Sequence, residues 1–163
     1  MYGPYKVNFH VVVGLGETDQ ELVQLFFDLH DEQIAAYLFS FNPEPGTGME
    51  DVERAPIQRM RRIQLVKHLI EKKGLARSAI EFDGDGAISE LHAPGYDVHE
   101  VTMSGIPFMT DGCPDRQGEM SCNRPYGSYR PGEEYRDYPF QPSESDLDTV
   151  RAQMQLEEVW QDA

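Results

Sequence analysis

The chain opens with a run of apolar and β-branched residues, VNFHVVV, within Lys6 to Val13. Near-continuous apolarity closed by a glycine is the pattern of a strand covered on both faces in a parallel sheet. The turn GLGE follows. Thr18 then stands as a helix N-cap, and Glu21 completes a capping box. Leu22, Leu25, Phe26 and Leu29 recur at helical spacing, which predicts one apolar stripe on a helix ending near Asp31. IAAYLFSF, from Ile34 to Phe41, predicts a second buried strand, and NPEPGTGME, from Asn42 to Glu50, a loop. Pro56 suits the first turn of a second helix. Its stripe is Ile57, Met60, Ile63, Val66 and Ile70, and Gly74 is its stop.

Beyond Gly74 the pattern changes. AIEFDGDGAISEL, from Ala79 to Leu91, predicts a hairpin around its Asp-Gly turns. DVHEVTMSGIPFM predicts one more strand pair. Thr110 to Pro142 is rich in Gly, Pro, Tyr and Arg and has neither period, yet it is too aromatic for an ordinary disordered tail. Ser145 is placed to cap a polar helix running through Trp160, with Leu147, Val150, Met154 and Val159 as a thin apolar face that predicts weak docking. No internal repeat is visible.

Two strand–helix units of roughly 30 residues each match the unit of a (β/α) barrel. Two parallel strands cannot close a barrel, and their edges would be open to pairing with another chain. The expected fold class is therefore α/β: the tail end of a partial, TIM-like (β/α) barrel followed by a small β-rich and irregular extension. Residues 1–75 would hold the last strand–helix units, 76–142 the hairpin and the Cys/Pro/Arg/Tyr-rich extension, and 143–163 a terminal polar helix.

Length and charge narrow the function classes. At 163 residues the chain fits one domain with a sizeable core. With 29 acidic against 14 basic residues, its net charge is −15. Binding nucleic acid or an anionic membrane surface needs clustered Lys and Arg, so neither is expected as a partner. No apolar run approaches a membrane span, and no signal-peptide pattern is present, so the expected location is the cytoplasm. In that reducing compartment the two cysteines, Cys113 and Cys122, are expected as free thiols or metal ligands.

Candidate chemistry gathers at the strand exits and around the cysteines. In parallel α/β folds, ligands sit at the carboxyl ends of strands. Gly14 and Gly16 would let a ligand approach the backbone, or simply form a tight turn. Glu17 could bond a hydroxyl or amine, or cap the helix. GLGE is not G-x-G-x-x-G and no basic residue is near, so a phosphate cradle is not expected. Asn42, Glu44 and Thr47 lie at the second exit, within what could equally be a proline-shaped turn. Cys113 and Cys122 are an incomplete set for zinc or an iron–sulfur cluster, to which His92 and His99 could add ligands. The Arg, Tyr and Asn residues around them, Arg124 among them, could instead bind an anionic or carboxylate-bearing substrate. His10 reads as a core histidine. No nucleophile triad or carboxylate pair stands out.

Together, HVVVGLGETDQEL and YLFSFNPEPGTGME resemble consecutive strand exits of the radical S-adenosylmethionine superfamily, in its biotin-synthase and lipoyl-synthase branch. There, a G-x-I-x-G-x-x-E strand helps hold the adenosyl group. The matching positions are His10, Val12, Gly14 and Glu17, with His10 standing where the pattern has Gly. GIPFMTDGCP followed by CNRPYGSYRPGEEYRDYPF resembles the C-terminal signature of the same branch, with DRQGEMS as a longer spacer. The resemblance implies S-adenosylmethionine as cofactor, with Val12, Gly14, Glu17, Asn42 and Thr47 around it. It also implies a [4Fe–4S] cluster, an auxiliary cluster at Cys113 and Cys122, and Arg124 facing the substrate. That substrate would be a small molecule or carrier-bound, and sulfur insertion is the reaction that lipoyl- and biotin-synthase likeness implies. The superfamily's Cys-x3-Cys-x2-Cys triplet is absent from this sequence. The resemblance thus implies the C-terminal part of such an enzyme, inactive alone, with the N-terminal barrel half missing or on a partner chain. The alternatives are a non-catalytic partner subunit completing a split barrel, or a small metabolite-binding α/β protein.

Overall fold

The computed structural model describes residues 3–93, 98–114, 120–122 and 127–155 as a mixed α/β molecule. In chain order its elements are β1 (Asn8–Val13), α1 (Asp19–Asp31), β2 (Ala35–Ser40), α2 (Ile57–His68), β3 (Ile80–Phe82), β4 (Ile88–Leu91), α3 (Val98–Met103), β5 (Cys113–Pro114), β6 (Met120–Cys122) and α4 (Glu144–Met154). The strands form three separate pairs: β1–β2 parallel, β3–β4 antiparallel and β5–β6 antiparallel. Among the described residues there is no closed barrel. No helix there is long and apolar enough to cross a membrane.

The first half follows its periodicity. Thr18 and Glu21 form the capping box, and α1 buries Leu22, Val23, Phe26, Phe27 and Leu29. Met60, Ile63 and Val66 of α2 are fully buried. α2 runs into a π-helical turn, Leu69–Lys73, which stops at Gly74 with φ of 69°. At that left-handed position glycine carries no steric cost.

β1 is covered on one face, not both. Val11 and Val13 point into the core under the helices, while His10 and Val12 face outward. β1 and β2 pair in register, His10 with Tyr37 and Val12 with Phe39. Side chains alternate along strands, so the helix side carries Val11, Val13, Ala36, Leu38 and Ser40, and the other face carries His10, Val12, Tyr37 and Phe39. His10 is consequently exposed instead of buried in the core. Its ring stacks on Tyr37 with centroids 5.7 Å apart.

Three further expectations change. The second strand pair expected over residues 97–109 is α3 followed by a 3-10 turn, Ile106–Phe108. The described part of that stretch buries Val101 and Phe108, and Gly105, in a left-handed conformation, separates the two elements. The terminal helix starts one turn-residue pair earlier, with Ser143 as N-cap, and Trp160 and Val159 lie outside the described residues. It also docks firmly, since Val150 and Met154 are fully buried. Its anchor is Arg61, itself fully buried. Arg61 donates to Gln153 of α4 and to the carbonyls of Tyr135 and Arg136, and its guanidinium lies over the Phe108 and Tyr138 rings. Burial pulls its pKa down to about 10, which leaves it charged at neutral pH. This one side chain turns part of the aperiodic Thr110–Pro142 segment into core.

Candidate functional site

Parallel pairing brings the exits of β1 and β2 to the same end of the sheet. At the β1 exit, Gly14 and Gly16 adopt φ of 108° and 107°, values that side chains rarely take. The two positions differ in surroundings. A Cβ on Gly14 would press at 3.3 Å against Ala55, whereas one on Gly16 would meet open space. Gly14 therefore lies against the chain that leads into α2, and Gly16 lies at the surface.

Glu17 binds its own turn. Its two carboxylate oxygens accept from the amides of Gly14 and Leu15, each at 2.8 Å, and Oε1 lies 3.1 Å from Arg59. Partial burial works against the charge, but the amide hydrogen bonds from Gly14 and Leu15 and the nearby Arg59 outweigh it and hold the carboxyl below its ordinary range. Arg59 also donates to the Glu17 carbonyl and, through Nε, to Asp19 at 2.7 Å. Asp19 in turn accepts from the Ile88 amide. The result is a rigid strand exit tied to α1, α2 and the β3–β4 turn. A cleft of about 390 Å³ lies beside it, between Glu17, Asp19, Arg59 and Gly86.

At the β2 exit, Asn42 donates to the Gly127 carbonyl at 3.4 Å, and its Oδ1 is buried without a hydrogen-bond partner among the described residues. Thr47 is occupied within its loop, donating to the Glu44 carbonyl and accepting from the Met49 amide. Glu44 pairs with Arg130. Val12 faces the open aromatic side of the sheet, beside Phe39. Of the five residues expected around the cofactor, Val12 and Gly14 thus present side chain or backbone at the exits. Glu17 and Thr47 act within their turns, and Asn42 keeps one unpaired oxygen.

Cys113 and Cys122 are register partners across β5–β6, so the sequence separation between them closes into one cross-strand pair. Arg124 lies outside the described residues. His92 sits with Glu81 and Glu90 on the β3–β4 hairpin, where three donor atoms fall within 4.8 Å of one another on the water-facing surface. Its Nε2 is 3.2 Å from Glu90. His99 lies on α3.

The two edges of the β1–β2 sheet differ, which pattern reading did not reveal. Along β2 the outward amides are taken by side chains: Ala36 by Glu71 at 3.0 Å, Leu38 by Asp111, and Ser40 by Ser128 at 3.2 Å. Glu71 and Asp111 are themselves held by the buried Lys67, at 3.0 and 3.1 Å. Burial disfavours the Lys67 ammonium, and Asp111 and Glu71 more than offset it, so Lys67 stays charged. Along β1, no strand pairs with the outer edge among the described residues, and Val7, Phe9 and Val12 are exposed. The Lys67–Glu71 pair was visible in the sequence as an i,i+4 pair running from α2 into its π-helical last turn, but such a spacing usually marks a solvated helix face. No family model, curated protein or solved structure matches the chain.

Proposed function

We propose that this chain forms the closing strand–helix units of a radical S-adenosylmethionine barrel, related to the biotin-synthase and lipoyl-synthase branch. In this role it supplies one wall of the cofactor and substrate pocket to a partner or N-terminal half that carries the cluster. The observation that carries the proposal is the one-sided sheet. Helices cover one face of β1–β2, while the other presents His10, Val12, Tyr37 and Phe39, and among the described residues no strand pairs with the outer edge of β1. A doubly wound fold would place helices on both faces. A barrel wall has helices outside and side chains converging inside.

The residues fit the two cofactors unequally. An aromatic and apolar face next to a glycine-bordered strand exit suits an adenine ring and its ribose. When bound, S-adenosylmethionine would supply the radical chemistry, and this chain would position it and exclude water. Glu17 would act by fixing the Gly14–Leu15 backbone rather than by touching the cofactor. A [4Fe–4S] cluster does not fit: two cysteines in one cross-strand pair are too few ligands. No step is assigned to a cluster on this chain.

The test combines the chain with a protein that carries the early strands and a Cys-x3-Cys-x2-Cys triplet. The mixture is reconstituted with iron and sulfide without oxygen, and 5′-deoxyadenosine is measured. Stable association and cofactor cleavage only in the mixture are the expected results. Robust cleavage by the isolated chain would refute the proposal. Association without cleavage would favour a non-catalytic partner subunit.

A further inference from the structure

A second cavity, of about 300 Å³, lies on the helix side of the sheet. Leu38 lines it, and Leu38 points away from Tyr37 and Phe39, so the cavity is separate from the open aromatic face. Its walls are α2, the Ile106–Asp111 segment and Asp137.

Asp137 is 4% exposed, and its Oδ1 has no hydrogen-bond partner among the described residues. Its Oδ2 is committed. Ser128 Oγ accepts the Ser40 amide, so its own proton goes to Asp137 Oδ2, at 2.7 Å. The nearby cations are committed as well. Arg61 spends four of its N–H groups on Gln64, Gln153 and two carbonyls, and Arg136 turns Nη1 to Ser40 and the Ala55 carbonyl, and neither lines the cavity. A buried oxygen left in this state normally costs free energy and calls for a partner.

The rest of the lining selects the partner's chemistry. Lys67, the buried cation at the cavity, is already shared by Glu71 and Asp111. The His68 ring hydrogen-bonds to none of the described residues, and burial together with the neighbouring lysines pulls its pKa down to about 4, so it is neutral. Among the described residues that line the cavity, an anion would find no uncommitted buried cation, and Lys72 at the rim is exposed to water. A donor would find the Asp137 oxygen and a neutral imidazole. Ile106, Pro107 and Met109 add an apolar wall.

We propose that this cavity binds a small amphiphilic amine, whose nitrogen donates to Asp137 Oδ1 and whose short apolar stem lies against Leu38, Ile106 and Met109. The inference does not depend on the barrel proposal, because the cavity lies on the opposite face of the sheet.

The test uses the full chain and NMR titration with n-butylammonium, 1-butanol and butyrate. Saturable shifts at the Leu38 and Met109 methyls are expected with the amine. Affinity for the alcohol should be about tenfold lower, the lower end for loss of a charge-assisted hydrogen bond, and butyrate should bind more weakly still. Asp137→Asn should lower amine affinity by a similar factor. Ile106→Trp should block the cavity while leaving the Asp137 carboxyl in place, which decides the matter if the Asn variant misfolds. Equal binding of alcohol and amine, tighter binding of butyrate, or amine binding unchanged by Ile106→Trp would overturn the proposal.

Discussion

Replacing Asp137 by Asn should flatten a specific part of the pH dependence of stability. Burial pushes the Asp137 carboxyl up to about 7 from an ordinary value of 3.8, against the pull of the Ser128 hydrogen bond and of Arg61. An acid whose pKa is raised by folding holds its proton better in the native state. Between those two values, then, unfolding releases a proton, and native stability falls as pH rises. At about 1.4 kcal/mol per unit of pKa, a shift of this size contributes a penalty of about 4 kcal/mol that is complete above pH 7. Of this, about 2.5 kcal/mol develops between pH 5 and pH 8. His68 acts in the opposite sense. Its pKa is lowered by folding, so its contribution is lost as pH falls from about 6.5 towards 4. The two slopes partly cancel in the native protein, and only the difference between native and variant isolates Asp137. Asn keeps the shape and offers an oxygen to Ser128, but it does not titrate. Urea unfolding of both proteins at pH 5 and pH 8 should show Asp137→Asn gaining about 2.5 kcal/mol on the native chain across that interval. A difference that stays constant within about 0.5 kcal/mol would refute the raised pKa and with it the account of Asp137 as a buried, unpaired carboxyl.

Lys67→Met should lower stability by about 3 kcal/mol in urea unfolding, the lower end for a broken buried pair, because it leaves the Glu71 carboxylate, 6% exposed, without its cation, while Asp111 keeps access to water. A loss below about 1 kcal/mol would mean that the cluster is solvated. Gly14→Ala should cost more than Gly16→Ala. Both force alanine into a positive-φ conformation worth roughly 1–3 kcal/mol of strain, but only the Gly14 Cβ also presses on Ala55. Equal melting temperatures for the two variants would exclude that contact.

The part of the fold that was legible in the sequence is the part whose burial repeats. Leu22, Phe26 and Leu29, or Met60, Ile63 and Val66, bury one helix face, and that period shows in the sequence. The Thr18–Glu21 capping box was legible because both partners lie within one turn. Ser128, Tyr129, Arg136, Asp137 and Tyr138 are as buried as the helical cores, yet they follow no period. Ser128 and Arg136 reach β2, Arg136 also the Ala55 carbonyl, Tyr138 lies under Arg61 of α2, Asp137 takes the Ser128 hydroxyl and Tyr129 packs on Tyr135, and no local pattern encodes such contacts. The single-sided coverage of β1 was only partly legible. Asn8 and His10 alternate with Phe9, Val11 and Val13, but Val12 interrupts that alternation and makes the end of the run look continuously buried. Glu17 shows the limit at the site itself: its position at the exit was readable, but the direction of its carboxylate, back onto Gly14 and Leu15, depends on the backbone of the turn.

The contrast between the two sheet edges bears most directly on what this chain does. A strand edge with free amides invites pairing, and proteins block it with charges, bulges or cover. β2 is blocked by Glu71, Asp111 and Ser128, which come from three distant points of the chain. Two of the three are acidic and need Lys67 between them. Among the described residues β1 has no comparable device. It lies in a stretch with no Asp or Glu before Glu17, although the chain carries 29 acids, and it exposes Val7, Phe9 and Val12. A sheet built to stand alone would protect both edges, or neither would carry such elaborate cover. Protection of one edge only supports the proposed reading, in which the sheet ends at β2 and continues from β1. Added strands would extend the face that bears His10, Tyr37 and Phe39, and that face is where the proposed cofactor wall lies.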